Sequence, residues 1–187
     1  KVIPYNVINV SNMYQGCKAL KNVEIEIKSN TVKAKQMFKE CTNLLTLDVN
    51  FSGMTLEEST RFAEGCSELT DVSLSFPSAL TMHDKYKTGV THYYMFYNCS
   101  KLTNVTLNMS RLRNTNTKSD FGAMFFNAGS IQSIKGLDLS CLKMYVTGEW
   151  KSSYGSYENH SPSITSGTTF KFLTDFKVVT DGLLSSS

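Results

Sequence analysis

The sequence contains no apolar stretch close to the roughly 18 residues a membrane span needs. Its opening, Lys1-Val2-Ile3-Pro4-Tyr5, lacks the segment layout of a signal peptide. A soluble chain without direct membrane insertion is therefore expected, and a start at Lys1 instead of Met points to a processed product, a designed chain or a piece of something larger. Charge is sparse: 19% of the residues are charged, 19 basic against 16 acidic, with a net charge of +3 and no run of one sign. That balance lacks the electrostatic footprint of a nucleic-acid or acidic-membrane partner. Only three histidines occur, His83, His92 and His160, with no H-E-x-x-H, no H-x-H and no close carboxylate cluster, so no metal site is expected. There is no G-x-S-x-G elbow and no glycine loop of the kind that cradles phosphate. No catalytic residue and no cofactor is therefore assigned, and the expectation is a protein that is not an enzyme. Five cysteines are an odd number and lie too far apart for a C-x-x-C metal or redox motif.

What the cysteines do mark is a repeat. Met13-Tyr14-x-x-Cys17-x-x-Leu20-x-x-Val23-x-Ile25 is followed by Met37-Phe38-x-x-Cys41-x-x-Leu44-x-x-Leu47-x-Val49. The frame returns as Phe62-Ala63-x-x-Cys66-x-x-Leu69-x-x-Val72-x-Leu74 and as Met95-Phe96-x-x-Cys99-x-x-Leu102-x-x-Val105-x-Leu107. A fifth, degenerate copy reads Met124-Phe125-x-x-Ala128-x-x-Ile131, with its strand-like pair expected at Leu137-x-Leu139. The anchors Cys17, Cys41, Cys66, Cys99 and Ala128 are 24, 25, 33 and 29 residues apart. Those distances fall in or just above the range of about 20–29 for leucine-rich repeats.

Each landmark has a physical role. A Met/Phe position and a Cys four residues later share one face of a helical turn and can both point inward. The closing apolar-x-apolar step has the period of a short strand with one buried face. Stacked copies then form a parallel sheet on one side and helical turns on the other, an α/β repeat solenoid. Thr55-Leu56-Glu57-Glu58 fits a capping box, with Thr55 as N-cap and Glu58 at N3, and predicts a helix over about residues 55–65. The expected organisation is a solenoid of about five repeats over 1–140, with residues 1–12 as a preceding repeat end or N-terminal cap. Residues 141–187 are expected to be a C-terminal cap or the start of a following module.

The runs Met37-Phe38-Lys39-Glu40-Cys41-Thr42-Asn43-Leu44-Leu45-Thr46-Leu47-Asp48-Val49 and Met95-Phe96-Tyr97-Asn98-Cys99-Ser100-Lys101-Leu102-Thr103-Asn104-Val105 resemble the M-F-x-x-C-x-x-L-x-x-L-D-L unit of BspA-like leucine-rich repeats, known from mycoplasma lipoproteins and Bacteroides surface proteins. The resemblance covers roughly residues 7–140. It implies an extracellular recognition or adhesion module displayed on a bacterial cell surface or virion, its partner a host or bacterial surface protein or glycan. The other function it leaves open is a structural or receptor-binding domain of a phage tail or virion assembly, packed against neighbours. Phe62-Ala63 in place of Met-Phe, and the lengthened segments before the fourth and fifth copies, depart from the pattern.

Residues alternating with the buried strand positions face outward from the expected concave sheet: Asn22, Glu24 and Glu26; Thr46, Asp48 and Asn50; Asp71, Ser73 and Ser75; Asn104, Thr106 and Asn108; then Asp138. They are either a polar, mildly acidic binding strip or a merely solvated face. Two loops rich in aromatics are further candidates. The first, Phe76 to Tyr94, holds Tyr86, His92, Tyr93 and Tyr94; the second, Tyr145 to His160, holds Trp150, Tyr154 and Tyr157. Trp150 serves equally well as a cap on the open core. The residues singled out as ligand-binding are Glu24, Asp48, Ser73, Thr106, Asp138, Tyr93, Trp150 and Tyr154. Cys17, Cys41, Cys66 and Cys99 share one inward slot, which favours reduced, buried thiols over a disulfide ladder, while Cys141 stands outside the series.

Overall fold

The structure is a computed structural model, which describes residues 1–80, 92, 94–111, 124–125, 127–128 and 133–135. The chain winds as a parallel-strand β-solenoid. Its long sheet has the order β1 (Val2–Ile3), β2 (Asn22–Ile27), β4 (Thr46–Phe51), β6 (Asp71–Ser75), β8 (Asn104–Asn108) and β9 (Ser133–Lys135). A second sheet of three parallel strands, β3 (Thr31–Lys33), β5 (Thr55–Glu58) and β7 (Ala79–Leu80), forms another wall of the same coils. Three successive coils therefore contribute to both sheets.

The strands form where the sequence alternates. Val23, Leu47, Val72, Val105 and Ile134 lie on one register line across the long sheet, and Ile25, Leu47's neighbour Val49, Leu74 and Leu107 on the next inward line. A third inward position, absent from the repeat as read in the sequence, is filled by Ile27, Phe51, Phe76 and Met109, all at most 2% exposed. The interior is completed from the other walls by Val32, Leu56 and Leu80, and by Met37, Phe38, Phe62, Phe96, Met124 and Phe125. The rings stack along the axis: Phe38 meets Phe62 at 5.4 Å, Phe62 meets Phe96 at 6.5 Å, and Phe96 meets Phe125 at 5.5 Å between centroids. A single coil could not hide these groups, so each coil's stability depends on its neighbours.

Among the described residues no segment is helical, so the expected helical turns are not found there. The Met-Phe-x-x-Cys segment is instead a pair of tight turns. Met37 N–H donates to the Ala34 carbonyl and Cys41 N–H to the Phe38 carbonyl, each a three-residue step. Gln36 and Glu40, at the third position of those two turns, have φ of 54° and 60°. The same two slots have positive φ in the other coils: Asn12, Arg61 and Tyr94 in the first, Gly16, Gly65, Asn98 and Asn127 in the second. A left-handed residue at each turn stops a right-handed helix, and it fits the third residue of a type II turn. Glycine and asparagine before the Cys position are the sequence trace of that geometry.

The segment expected to be a helix, about residues 55–65, is strand β5 followed by these turns. The capping-box pattern is outweighed by a neighbouring strand edge. Thr55 N–H donates to the Asn30 carbonyl at 2.8 Å, and Leu56 lies in register with Val32 on one side and Leu80 on the other. Glu57 and Glu58, instead of folding back on a helix N-terminus, pair with Lys33 and Lys35 of the preceding coil, each at 3.7 Å. Strand preference is set by such surroundings more than by local propensity. Just before β5, a Cβ on Gly53 would lie 1.8 Å from the Ser29 carbonyl oxygen, so the stacked corners require glycine there.

In the fifth copy the strand paired with β8 is Ser133–Lys135, Ile134 keeping the undelayed spacing from Ala128 and Ile131 and pairing with Val105, while the expected pair Leu137-x-Leu139 lies outside the described residues. The expected cap over 141–187 and Cys141 lie outside the described residues.

Candidate functional site

Parallel pairing places the outward residues of the long sheet in three rows. One runs Asn22, Thr46, Asp71, Asn104, the next Glu24, Asp48, Ser73, Thr106, Lys135, and the third Val2, Glu26, Asn50, Ser75, Asn108. Because strands in a sheet are about 4.8 Å apart, each row is a ladder of side chains at that pitch. Four of the residues singled out in the sequence, Glu24, Asp48, Ser73 and Thr106, thus come together in the middle row. Asp138, Tyr93, Trp150 and Tyr154 lie outside the described residues. Lys135 completes the middle row and was missed because the fifth strand was expected later in the chain; the regular three-residue spacing of Ala128, Ile131 and Ile134 was the signal for it.

The rows differ in how their hydrogen-bonding capacity is used. In the first, Thr46 Oγ1 donates to Asn22 Oδ1 at 2.9 Å, and Asn104 Nδ2 donates to Asp71 Oδ1 at 2.7 Å. Thr70 Oγ1 donates to the other Asp71 oxygen at 2.5 Å, and these two donors hold the Asp71 carboxyl below its ordinary range. In the third row, Glu26 accepts from Ser52 Oγ at 2.8 Å and pairs with Lys28 at 3.7 Å. Asn50 accepts from Arg111 at 2.7 Å, and Asn108 from Ser110 Oγ at 2.7 Å. The middle row makes none of these internal contacts: among the described residues the side chains of Glu24, Asp48, Ser73, Thr106 and Lys135 have no hydrogen bond or ion pair within the chain. Between strands β4, β6 and β8 lies an open depression of about 240 Å³, lined by Thr46, Asp48, Asp71, Ser73, Asn104 and Thr106 over the backs of Leu47 and Val72.

The interior carries polar chemistry that the sequence reading overlooked. His92, expected in an exposed recognition loop, is fully buried, with Nδ1 2.8 Å from Ser59 Oγ. Ser59 and His92 occupy the slot held by Val10 and Ala34 in earlier coils, three residues before the Met/Phe position. The pair is a polar contact inside the core, with no exposed surface at which a substrate could meet it. Tyr94, from the same expected loop, is partly buried against Tyr97 at 4.9 Å, with Arg61 over its ring at 5.5 Å. Burial, the largest influence, pushes its phenol pKa up.

The cysteines also do more than fill space. Cys41 Sγ donates to the Tyr14 carbonyl at 3.0 Å, Cys66 Sγ to Phe38 O at 3.1 Å and Cys99 Sγ to Ala63 O at 3.2 Å. Each accepting carbonyl already takes the N–H of the preceding coil's cysteine, so the thiol occupies its second lone pair and ties one coil to the next. The four described thiols are free, with Cys17 partly exposed at the first coil. Burial pushes Cys99 up to about 12, and the neighbouring Cys41 thiol together with burial pushes Cys66 up.

Among the described residues no cluster of three or more metal-ligating side chains occurs, and no helix is long and apolar enough to cross a membrane. No family model matches the chain, and neither a curated protein nor a solved structure does.

Proposed function

We propose that the chain is a non-enzymatic recognition module of the BspA-like leucine-rich-repeat kind, which holds a protein or glycan on the outward face of its long sheet. In this reading it is extracellular, displayed on a bacterial cell surface or virion. The observation that carries it is the contrast between rows. Two flanking ladders satisfy many of their own polar groups, while the middle ladder of Glu24, Asp48, Ser73, Thr106 and Lys135 leaves every one unengaged. An unengaged central row between engaged flanks leaves its donors, acceptors and charges available to a partner. Repeated coils also present such a row on a fixed backbone, which keeps the ordering cost of binding low.

The reading is tested by measuring binding of the chain to glycan arrays and to surface-protein extracts, beside a variant with Glu24→Ala, Asp48→Ala and Thr106→Ala. All three side chains project from the outward face, so the circular dichroism of the variant should match that of the parent. Binding that is lost in the variant supports recognition by this face. Binding that survives, or no binding to either probe, defeats it.

A second reading, a packing domain within a virion or tail assembly, has one observation in its favour. The first coil exposes Val2, Tyr5, Ile8 and Met13, apolar groups between 45% and 70% exposed at one end of the stack. Concentration-dependent self-association abolished by Ile8→Ser would favour it.

A further inference from the structure

The middle row is polarised. Its first two members are the carboxylates Glu24 and Asp48, the next two the hydroxyls Ser73 and Thr106, and its fifth the ammonium of Lys135. The other two acidic groups of the face are engaged: Asp71 by Thr70 and Asn104, Glu26 by Ser52 and Lys28. Among the side chains of the row itself, charge is therefore negative at Glu24 and Asp48 and positive at Lys135, with neutral donors and acceptors between; of the cations beside it, Arg111 is held on Asn50 and the Phe51 carbonyl, and the Lys1 ammonium on the Glu24 carbonyl. The outward positions of the row and its two flanks hold no aromatic ring on which a sugar could stack.

From this charge pattern we propose that the middle row takes an extended peptide segment of a partner protein, laid along the solenoid axis across the strands. The segment places a basic side chain over Glu24 and Asp48 and an acidic one over Lys135. This rests on the reading of the long sheet's outward face as the recognition surface. Neighbouring strands about 4.8 Å apart let one guanidinium or ammonium reach both carboxylates, and the distance from Asp48 or Glu24 to Lys135 is about 14 to 19 Å. An extended chain advances about 3.3 Å per residue, so the two charged residues of the segment are separated by about four to six positions. Ser73 and Thr106 lie beneath the intervening backbone, where their hydroxyls can donate to its carbonyls and accept from its N–H groups.

The test uses the full chain and an array of tethered peptides in three sets: Arg and Glu about five positions apart, Glu at both positions, and Arg at both positions. The parent chain should retain the Arg/Glu set best, with about a tenfold loss for the Glu/Glu set, the scale expected from reversing exposed charge pairs. Lys135→Glu should move the preference to the Arg/Arg set, a gain that a damaged fold cannot produce. Equal retention of the three sets, no retention of any, or an unchanged ranking with Lys135→Glu overturns the proposal. If a glycan array binds the parent and loses that binding with Glu24→Ala and Asp48→Ala, the peptide proposal falls while the recognition reading stands. If neither probe binds, both fall.

Discussion

Replacing Phe62 by Ala removes the ring at the centre of the stack. Phe62 is fully buried and touches three other rings: Phe38 at 5.4 Å edge-on, Phe51 at 5.9 Å and Phe96 at 6.5 Å edge-on. Truncating a buried phenylalanine costs about 3–5 kcal/mol, from lost transfer energy and the cavity left behind. Three ring pairs, each worth roughly 0.5–1.5 kcal/mol beyond area, place this site toward the upper end. Met13, the Met/Phe position of the first coil, is 45% exposed, so Met13→Ala should cost under about 1 kcal/mol. The assay is urea unfolding followed by far-ultraviolet circular dichroism for both variants. Should Phe62→Ala abolish folding, Phe62→Leu keeps most of the volume and should cost about 1–2 kcal/mol. A loss below about 1 kcal/mol for Phe62→Ala, or equal losses at the two positions, would refute a shared interior running through the coils.

Other consequences follow from single contacts. Gly65, at φ +74°, should lose about 1–2 kcal/mol on Gly65→Ala, whereas Glu40→Gly at the equivalent slot of the previous coil should be neutral or stabilising; unfolding midpoints of the two variants check the pair. Arg111 reaches across strand β6 to Asn50 and the Phe51 carbonyl at 2.7 and 2.9 Å, so Arg111→Ala should lower stability by about 1–3 kcal/mol in the same assay. Asp71 has a folded-state pKa below its unfolded value, so its contribution is present above the ordinary carboxylate range and is lost as pH falls through the lowered pKa. In a carboxyl NMR titration, Asn104→Ala should move the Asp71 midpoint upward; an unmoved midpoint would leave the Asn104 hydrogen bond without effect.

The repeat was legible because buried positions recur at fixed spacing. Cysteine, leucine and the apolar-x-apolar step located β2, β4, β6 and β8, and with them the register that aligns Glu24, Asp48, Ser73 and Thr106. The turns were not legible as turns, since a Met/Phe and a Cys four residues apart fit one face of a helix as well as two consecutive tight turns. Gly16, Gly65, Asn98 and Asn127 before the cysteine slot carried the distinguishing information, but Glu40 in the same slot obscured it. The capping-box pattern at Thr55 misled because local sequence cannot show that strands β3 and β7 lie on either side of that segment. His92 was unreadable for a related reason: its partner Ser59 lies 33 residues away and meets it only because both occupy one slot in successive coils. The distinction between engaged and unengaged rows depends on side-chain partners such as Arg111 on Asn50, 61 residues apart, which no spacing rule reveals.

The stacking of the cysteine-anchored coils is tested most directly by the rate at which native protein is alkylated by iodoacetamide at each thiol, read by peptide mass spectrometry. At pH 8 a thiol raised to about 12 carries roughly a thousandfold less thiolate than an ordinary one near 8.5, before any steric shielding. Stacked coils predict that Cys17, partly exposed, is modified before Cys66 and Cys99, whose buried thiols stay protected until the chain is unfolded. Comparable rates at Cys17, Cys66 and Cys99 in the folded protein would contradict the shared interior.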